Sequence, residues 1–75
     1  MMTRLEANIK ILDIVKQLAC MFPDMRFNQL LINTRVVLEG KDQFYEESEK
    51  TLDRLRNYIN TRKNDYKVLE YINME

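Results

Sequence analysis

The sequence predicts an all-α fold, a small three-helix domain with a C-terminal helical segment. Glycine and proline each occur once in 75 residues, which leaves few of the residues that tight turns and bulges require. Apolar residues recur at steps of three and four, the spacing of amphipathic helices. We therefore expect residues 1–75 to form one domain, with 64–75 as a separate tail segment if the last helix breaks.

The composition excludes several classes of protein. Lys plus Arg and Asp plus Glu both number 12, so a net charge of zero gives no general attraction to nucleic acid or acidic membranes. The chain has one cysteine and no histidine, which excludes an internal disulfide and removes the most common metal ligand and general base. We find no secretion signal and no apolar run of membrane-spanning length. We expect a cytoplasmic protein with no cofactor, no metal and no small-molecule substrate.

The first helix is predicted over about 3–21. Thr3 and Glu6 fit a capping box, in which each side chain accepts a hydrogen bond from the other residue's backbone. Pro23 ends the helix, because the residue before a proline is pushed away from helical angles. The predicted inner face consists of Leu5, Leu12, Val15, Ala19 and Phe22, widened by Ile11, Ile14 and Leu18.

The second helix is predicted over about 24–38, with Asp24 as its N-cap. One face carries Phe27, Leu30, Leu31, Thr34 and Leu38, and a second stripe carries Met25, Gln29, Ile32 and Val36. A helix with two apolar stripes is enclosed in the fold or shared with a partner. The β-branched run 32–37 leaves an extended end as an alternative, and Gly40 stands where a left-handed cap would be needed.

The third helix is predicted over about 48–63, capped by Ser48. Its inner face carries Leu52, Leu55 and Ile59. Two continuations are open: the helix runs on through Arg62, or Asp65 caps a short fourth helix. The polar stretch 61–65 favours the break.

No residue pattern indicates an enzyme. The acidic residues Glu46, Glu47, Glu49 and Asp53 are typical of a solvated helix start, where nothing would bury a carboxylate and shift its pKa. Cys20 lacks a histidine base and lies late in the first helix, which disfavours a thiolate. We therefore predict a non-enzymatic protein.

The leading hypothesis is a protein–protein interaction module that forms a homodimer. The predicted interface consists of Met25, Ile32, Val36, Leu69 and Ile72. Too many apolar residues lie outside one three-helix core, although a tail that folds back over the stripe would also account for them. The alternative is nucleic-acid binding by the basic stretch Arg54–Lys67, in which tyrosines are interleaved for stacking.

Residues 23–55 carry a two-part pattern. The residues that form it are Pro23, Asp24, Arg26, Phe27, Gln29, Leu30, Leu31 and Asn33, then Asp42, Phe44, Tyr45 and Glu47. With this pattern the chain resembles a group of small uncharacterised bacterial and phage proteins. The group has no established activity, so the resemblance implies no catalytic residue. Members commonly have glycine where Asn28 stands and an acid where Ser48 stands.

The same pattern draws attention to three polar residues of the second helix, Arg26, Gln29 and Asn33. One interpretation is structural: they bond the connector around Asp42 and Tyr45, with Arg26 paired to Asp42 or Glu47. The other is that they form a polar recognition patch.

Overall fold

The computed structural model describes residues 2–61, which form three helices and no strand. The helices are α1 (Arg4–Met21), α2 (Phe27–Asn33) and α3 (Ser48–Thr61). The all-α prediction is confirmed, and α1 packs mainly against α3 and less extensively against α2. The predictions for Leu69, Ile72 and a fourth helix lie outside the described residues. None of the three helices is both long and apolar enough to cross a membrane.

Both ends of α1 lie where the sequence predicts them. The Thr3 hydroxyl accepts a hydrogen bond from the Glu6 N–H at 3.1 Å, and Glu6 Oε1 accepts one from the Thr3 N–H at 2.8 Å. This capping box satisfies backbone donors that the first helical turn leaves without a partner. At the other end, Phe22 adopts φ −125° and ψ 66°, outside the helical region, as expected before Pro23.

The prediction of α2 over 24–38 is wrong at both ends. The helix begins at Phe27, its N-cap is Arg26 rather than Asp24, and no side chain caps it. It ends at Asn33, inside the β-branched run that left an extended end open. The left-handed residue after this end is Arg35, with φ 68°, and not Gly40. Gly40 also has a positive φ, of 75°, but lies in a later turn.

Thr34, directly after α2, is a buried polar residue. Thr34 is 2% exposed, and its hydroxyl donates a hydrogen bond to the Leu30 carbonyl at 2.8 Å. This bond satisfies a polar group that would otherwise be costly to bury.

The core consists of aliphatic side chains from all three helices. Its buried members are Ala7, Ile14, Val15, Leu18, Leu30, Leu52, Leu55 and Ile59. The predicted inner face of α3 is confirmed, since Leu52, Leu55 and Ile59 have no exposed surface. These three residues recur at steps of three and four and meet the buried side of α1.

The predicted inner face of α1 is confirmed in part. Ile14, Val15 and Leu18 are buried, and Ile11, Ala19 and Phe22 pack against the core. Leu5 and Leu12 were predicted to be buried, but they are 66% and 67% exposed, and Ala7, which was not predicted, is buried instead. Since α1 carries apolar residues on two sides, its periodicity cannot determine which side meets the core.

Ile59→Ala should lower the free energy of unfolding by about 2–5 kcal/mol, because it leaves a cavity in the core. Ile32→Ala is the matched control, since Ile32 is 38% exposed whereas Ile59 has no exposed surface. The control should cost about 1 kcal/mol or less. Urea unfolding followed by circular dichroism measures both values, and equal losses would contradict this assignment of the core.

Candidate interaction surface

Three large aliphatic side chains form an exposed line along α1, here called the outer stripe. Leu5, Ile9 and Leu12 are 66%, 56% and 67% exposed. Their steps of four and three place them on one face of the helix, and Lys16 takes the next position on that face. The sequence interpretation missed Ile9, although its spacing from Leu5 and Leu12 was a signal available for finding it.

Two aromatic side chains are exposed in the connector before α3. Phe44 and Tyr45 are 82% and 89% exposed. Their rings meet edge to face, with centroids 4.8 Å apart and an interplanar angle of 84°. Shortly after them, Glu47 forms an ion pair with Arg4 at 3.0 Å, which brings the start of α3 to the start of α1. Both charged side chains are well exposed, so this pair adds little stability.

The predicted interface on the second helix does not form one free stripe. Met25 and Val36 are partly buried against the domain's own core, and of these three residues only Ile32 is exposed. Because α2 ends at Asn33, Val36 lies beyond the helix and does not share a helix face with Ile32. Leu69 and Ile72, the other two predicted interface residues, lie outside the described residues.

The structure does bring the predicted polar patch together. Arg26, Gln29 and Asn33 line an open depression of about 430 Å³, together with Phe27, Asn28 and Ile32. The predicted pairing of Arg26 with the connector is wrong. Asp42 accepts a hydrogen bond from the Phe44 N–H at 3.1 Å, while Glu47 pairs with Arg4. The patch is thus an open surface on which these polar residues stand beside the exposed Phe27 and Ile32.

Arg54, the first residue of the predicted basic stretch, is directed into the fold. Its guanidinium donates to the Arg35 carbonyl at 2.7 Å and to both Glu46 oxygens at 2.7 and 2.9 Å. A longer bond of 3.3 Å reaches the Val36 carbonyl. These bonds occupy the donors that a phosphate would need. Arg62, Lys63 and Lys67 lie outside the described residues.

Glu46 is the acceptor at the centre of this network. Besides Arg54, its carboxylate accepts bonds from the Thr51 hydroxyl at 2.6 Å and from Gln43 at 3.3 Å. The bonds from Arg54, followed by that from Thr51, lower the pKa of Glu46 from 4.5 to about 2. The side chain of Glu46 is 14% exposed, so its charge is held in a partly desolvated place.

The remaining candidates for a reactive or metal-binding site are Cys20 and the acidic residues at and before the start of α3. Within residues 2–61, no group of three or more acids, cysteines or histidines is arranged to hold a metal ion. Cys20 is exposed and is a free thiol. Of the predicted acidic cluster, Glu46 and Glu47 are engaged in ion pairs with Arg54 and Arg4.

Acid should destabilise the fold through Glu46. Because the pKa of Glu46 is depressed in the folded state, its contribution is present above the ordinary value of 4.5 and is lost as the pH falls toward 2. Glu46→Gln should cost roughly 1–3 kcal/mol at neutral pH and flatten this dependence. Urea unfolding across the acidic range measures both effects.

Glu47→Gln is the matched control for Glu46→Gln. It removes the same charge one residue along the chain, from a side chain that is 66% exposed. This change should cost about 1 kcal/mol or less and leave the acid dependence in place. An unchanged acid dependence in Glu46→Gln would show that another group is responsible.

No protein-family model, curated protein or solved structure matches this chain. Its function is therefore inferred from the side chains that the fold leaves exposed. Among residues 2–61, the large apolar side chains that are exposed include Leu5, Ile9 and Leu12 on α1, Phe27 and Ile32 on α2, and Phe44 and Tyr45 in the connector.

Proposed function

We propose that this chain is a non-enzymatic protein–protein interaction module that self-associates as a homodimer. The observation that carries the proposal is the outer stripe, because Leu5, Ile9 and Leu12 are all more than half exposed on one face of α1. Single exposed apolar residues are common on protein surfaces, whereas adjacent ones are typical of interaction sites.

The size of the domain supports association. Among residues 2–61, the buried core consists of eight aliphatic residues, and a chain of 75 residues has a small net stability. Covering one leucine or isoleucine side chain contributes about 1.5–3 kcal/mol. A second copy would cover three such side chains on each chain, and this gain offsets the entropy lost on association.

The exposed aromatic pair supports the same function. Phe44 and Tyr45 lie in a connector that is fixed at its end by the Glu46–Arg54 network. Aromatic side chains are enriched at the centres of protein interfaces, where they cover a large area at a low cost in conformational entropy. Such a pair can extend an interface beyond the outer stripe.

Other functions receive less support. Nucleic-acid binding is disfavoured because Arg54 is engaged by Glu46 and by two backbone carbonyls. Catalysis is disfavoured because the chain lacks histidine and its one thiol has no base. We also propose a cytoplasmic location, since a free thiol without a disulfide is typical of reducing compartments.

Light scattering over a range of concentrations should give a mass that rises from 9.1 kDa toward twice that value. The expected reason is mass action at an apolar interface. A mass of 9.1 kDa at every concentration would overturn self-association. Retention on DNA or RNA that falls steeply with salt would favour the nucleic-acid alternative instead.

A further inference from the structure

We propose that the outer stripe of α1 pairs in antiparallel orientation with the outer stripe of a second copy. This inference rests on the proposed self-association and names its surface and geometry. The two helices would be related by a twofold axis between Ile9 and Leu12, so that each contact occurs twice.

The spacing along α1 fits such a pair. Leu5, Ile9, Leu12 and Lys16 follow one another at steps of four, three and four, which is the alternation of the two inward positions in a coiled-coil heptad. In the antiparallel arrangement, Ile9 faces Leu12 of the second copy and Leu5 faces Lys16. The four layers then contain two purely aliphatic layers at the centre, with a Leu–Lys layer at each end.

The position of Lys16 disfavours the parallel orientation. In a parallel pair, the two Lys16 ammonium groups would face each other, which is unfavourable in a desolvated seam. In the antiparallel pair, Lys16 lies beside Glu6 of the second copy, while Asp13 of its own helix lies one turn away. The aliphatic stem of Lys16 covers Leu5, and the ammonium group stays at the edge with these acids.

Glu6 keeps a charge for this contact although it also caps α1. One of its oxygens, Oε1, accepts the bond from the Thr3 N–H. Bonds from the backbone and the side chain of Thr3 lower the pKa of Glu6, so the carboxylate, which is ionised at neutral pH, keeps its charge further into the acidic range. The capping box therefore fixes the position of a negative charge at the end of the outer stripe.

The fold leaves the outer stripe accessible. The core is formed by the other side of α1, along Ala7, Ile14 and Leu18. Within residues 2–61, nothing covers Leu5, Ile9 or Leu12, as their exposures of 66%, 56% and 67% show. Docking a second helix on this side therefore requires no rearrangement of residues 2–61.

Ile9→Glu should weaken the dimer by at least about 100-fold, because two isoleucine contacts are lost and two charges enter the seam. Analytical ultracentrifugation measures the dissociation constant, and circular dichroism checks that the helix content is unchanged. Asn57→Glu is the control: it adds the same charge to an exposed neutral residue of α3 and should leave the dimer intact. Leu12→Glu replaces Ile9→Glu if the latter loses helix content.

The orientation can be read from the chain's one cysteine. Cys20 is exposed, so a spin label on it reports a single position in each copy. In the antiparallel pair, the two Cys20 positions lie 19 residues apart along the seam, which is on the order of 30 Å at 1.5 Å per residue. In a parallel pair they lie about 10–15 Å apart, set by the distance between helix axes.

The outcomes separate this inference from the proposed function. A dimer that Ile9→Glu disrupts and Asn57→Glu does not, with a Cys20 distance near 30 Å, supports the antiparallel seam. A dimer that survives Ile9→Glu and Leu12→Glu overturns the seam but leaves self-association standing. A short Cys20 distance overturns the orientation, and a wild-type monomer at every concentration overturns both proposals.

Discussion

The Arg54–Glu46 pair is the interaction on which the non-helical part of this domain depends. Residues 34–47 form no helix or strand, and few of their backbone groups bond to one another. Arg54 connects three parts of this segment to α3, namely the Arg35 carbonyl, the Val36 carbonyl and Glu46. Because each bond involves a charged group in a partly desolvated place, this network is stronger than the exposed Arg4–Glu47 pair.

This network also explains why one helix can carry an unpartnered apolar face. It fixes the path from the end of α2 to the start of α3, and so places Leu52, Leu55 and Ile59 against one side of α1. That side is then fully used by the core, and the outer stripe is left exposed. The exposure of the outer stripe is thus a consequence of which side of α1 the third helix reaches.

Local signals in the sequence predicted the local features correctly. Thr3, Glu6 and Pro23 determine the ends of α1 through hydrogen bonding and sterics within a few residues, and the strong periodicity of α3 identifies its buried face. The bounds of α2 could not be predicted in the same way. The left-handed Arg35 accepts a hydrogen bond from Arg54, 19 residues along the chain, and a contact at this separation lies beyond the reach of local patterns.

The exposed surfaces were predicted less well than the helix ends, because apolar periodicity alone does not tell which side of a helix is buried. The outer stripe consists partly of Leu5 and Leu12, which the sequence placed inside, because an apolar residue looks the same on either side of α1. Met25 and Val36, which the sequence placed outside, pack against the core. Arg26, Gln29 and Asn33 line one depression, since their steps of three and four place them on one side of α2 and its N-cap.

The pairing of α1 mainly with α3 has a consequence for how the chain is made. The ribosome completes α1 first, but the helix that buries its inner side is separated from it by residues 22–47. Until α3 emerges, only α2 can cover part of the inner side of α1. The core of residues 2–61 is therefore complete only when α3 is available.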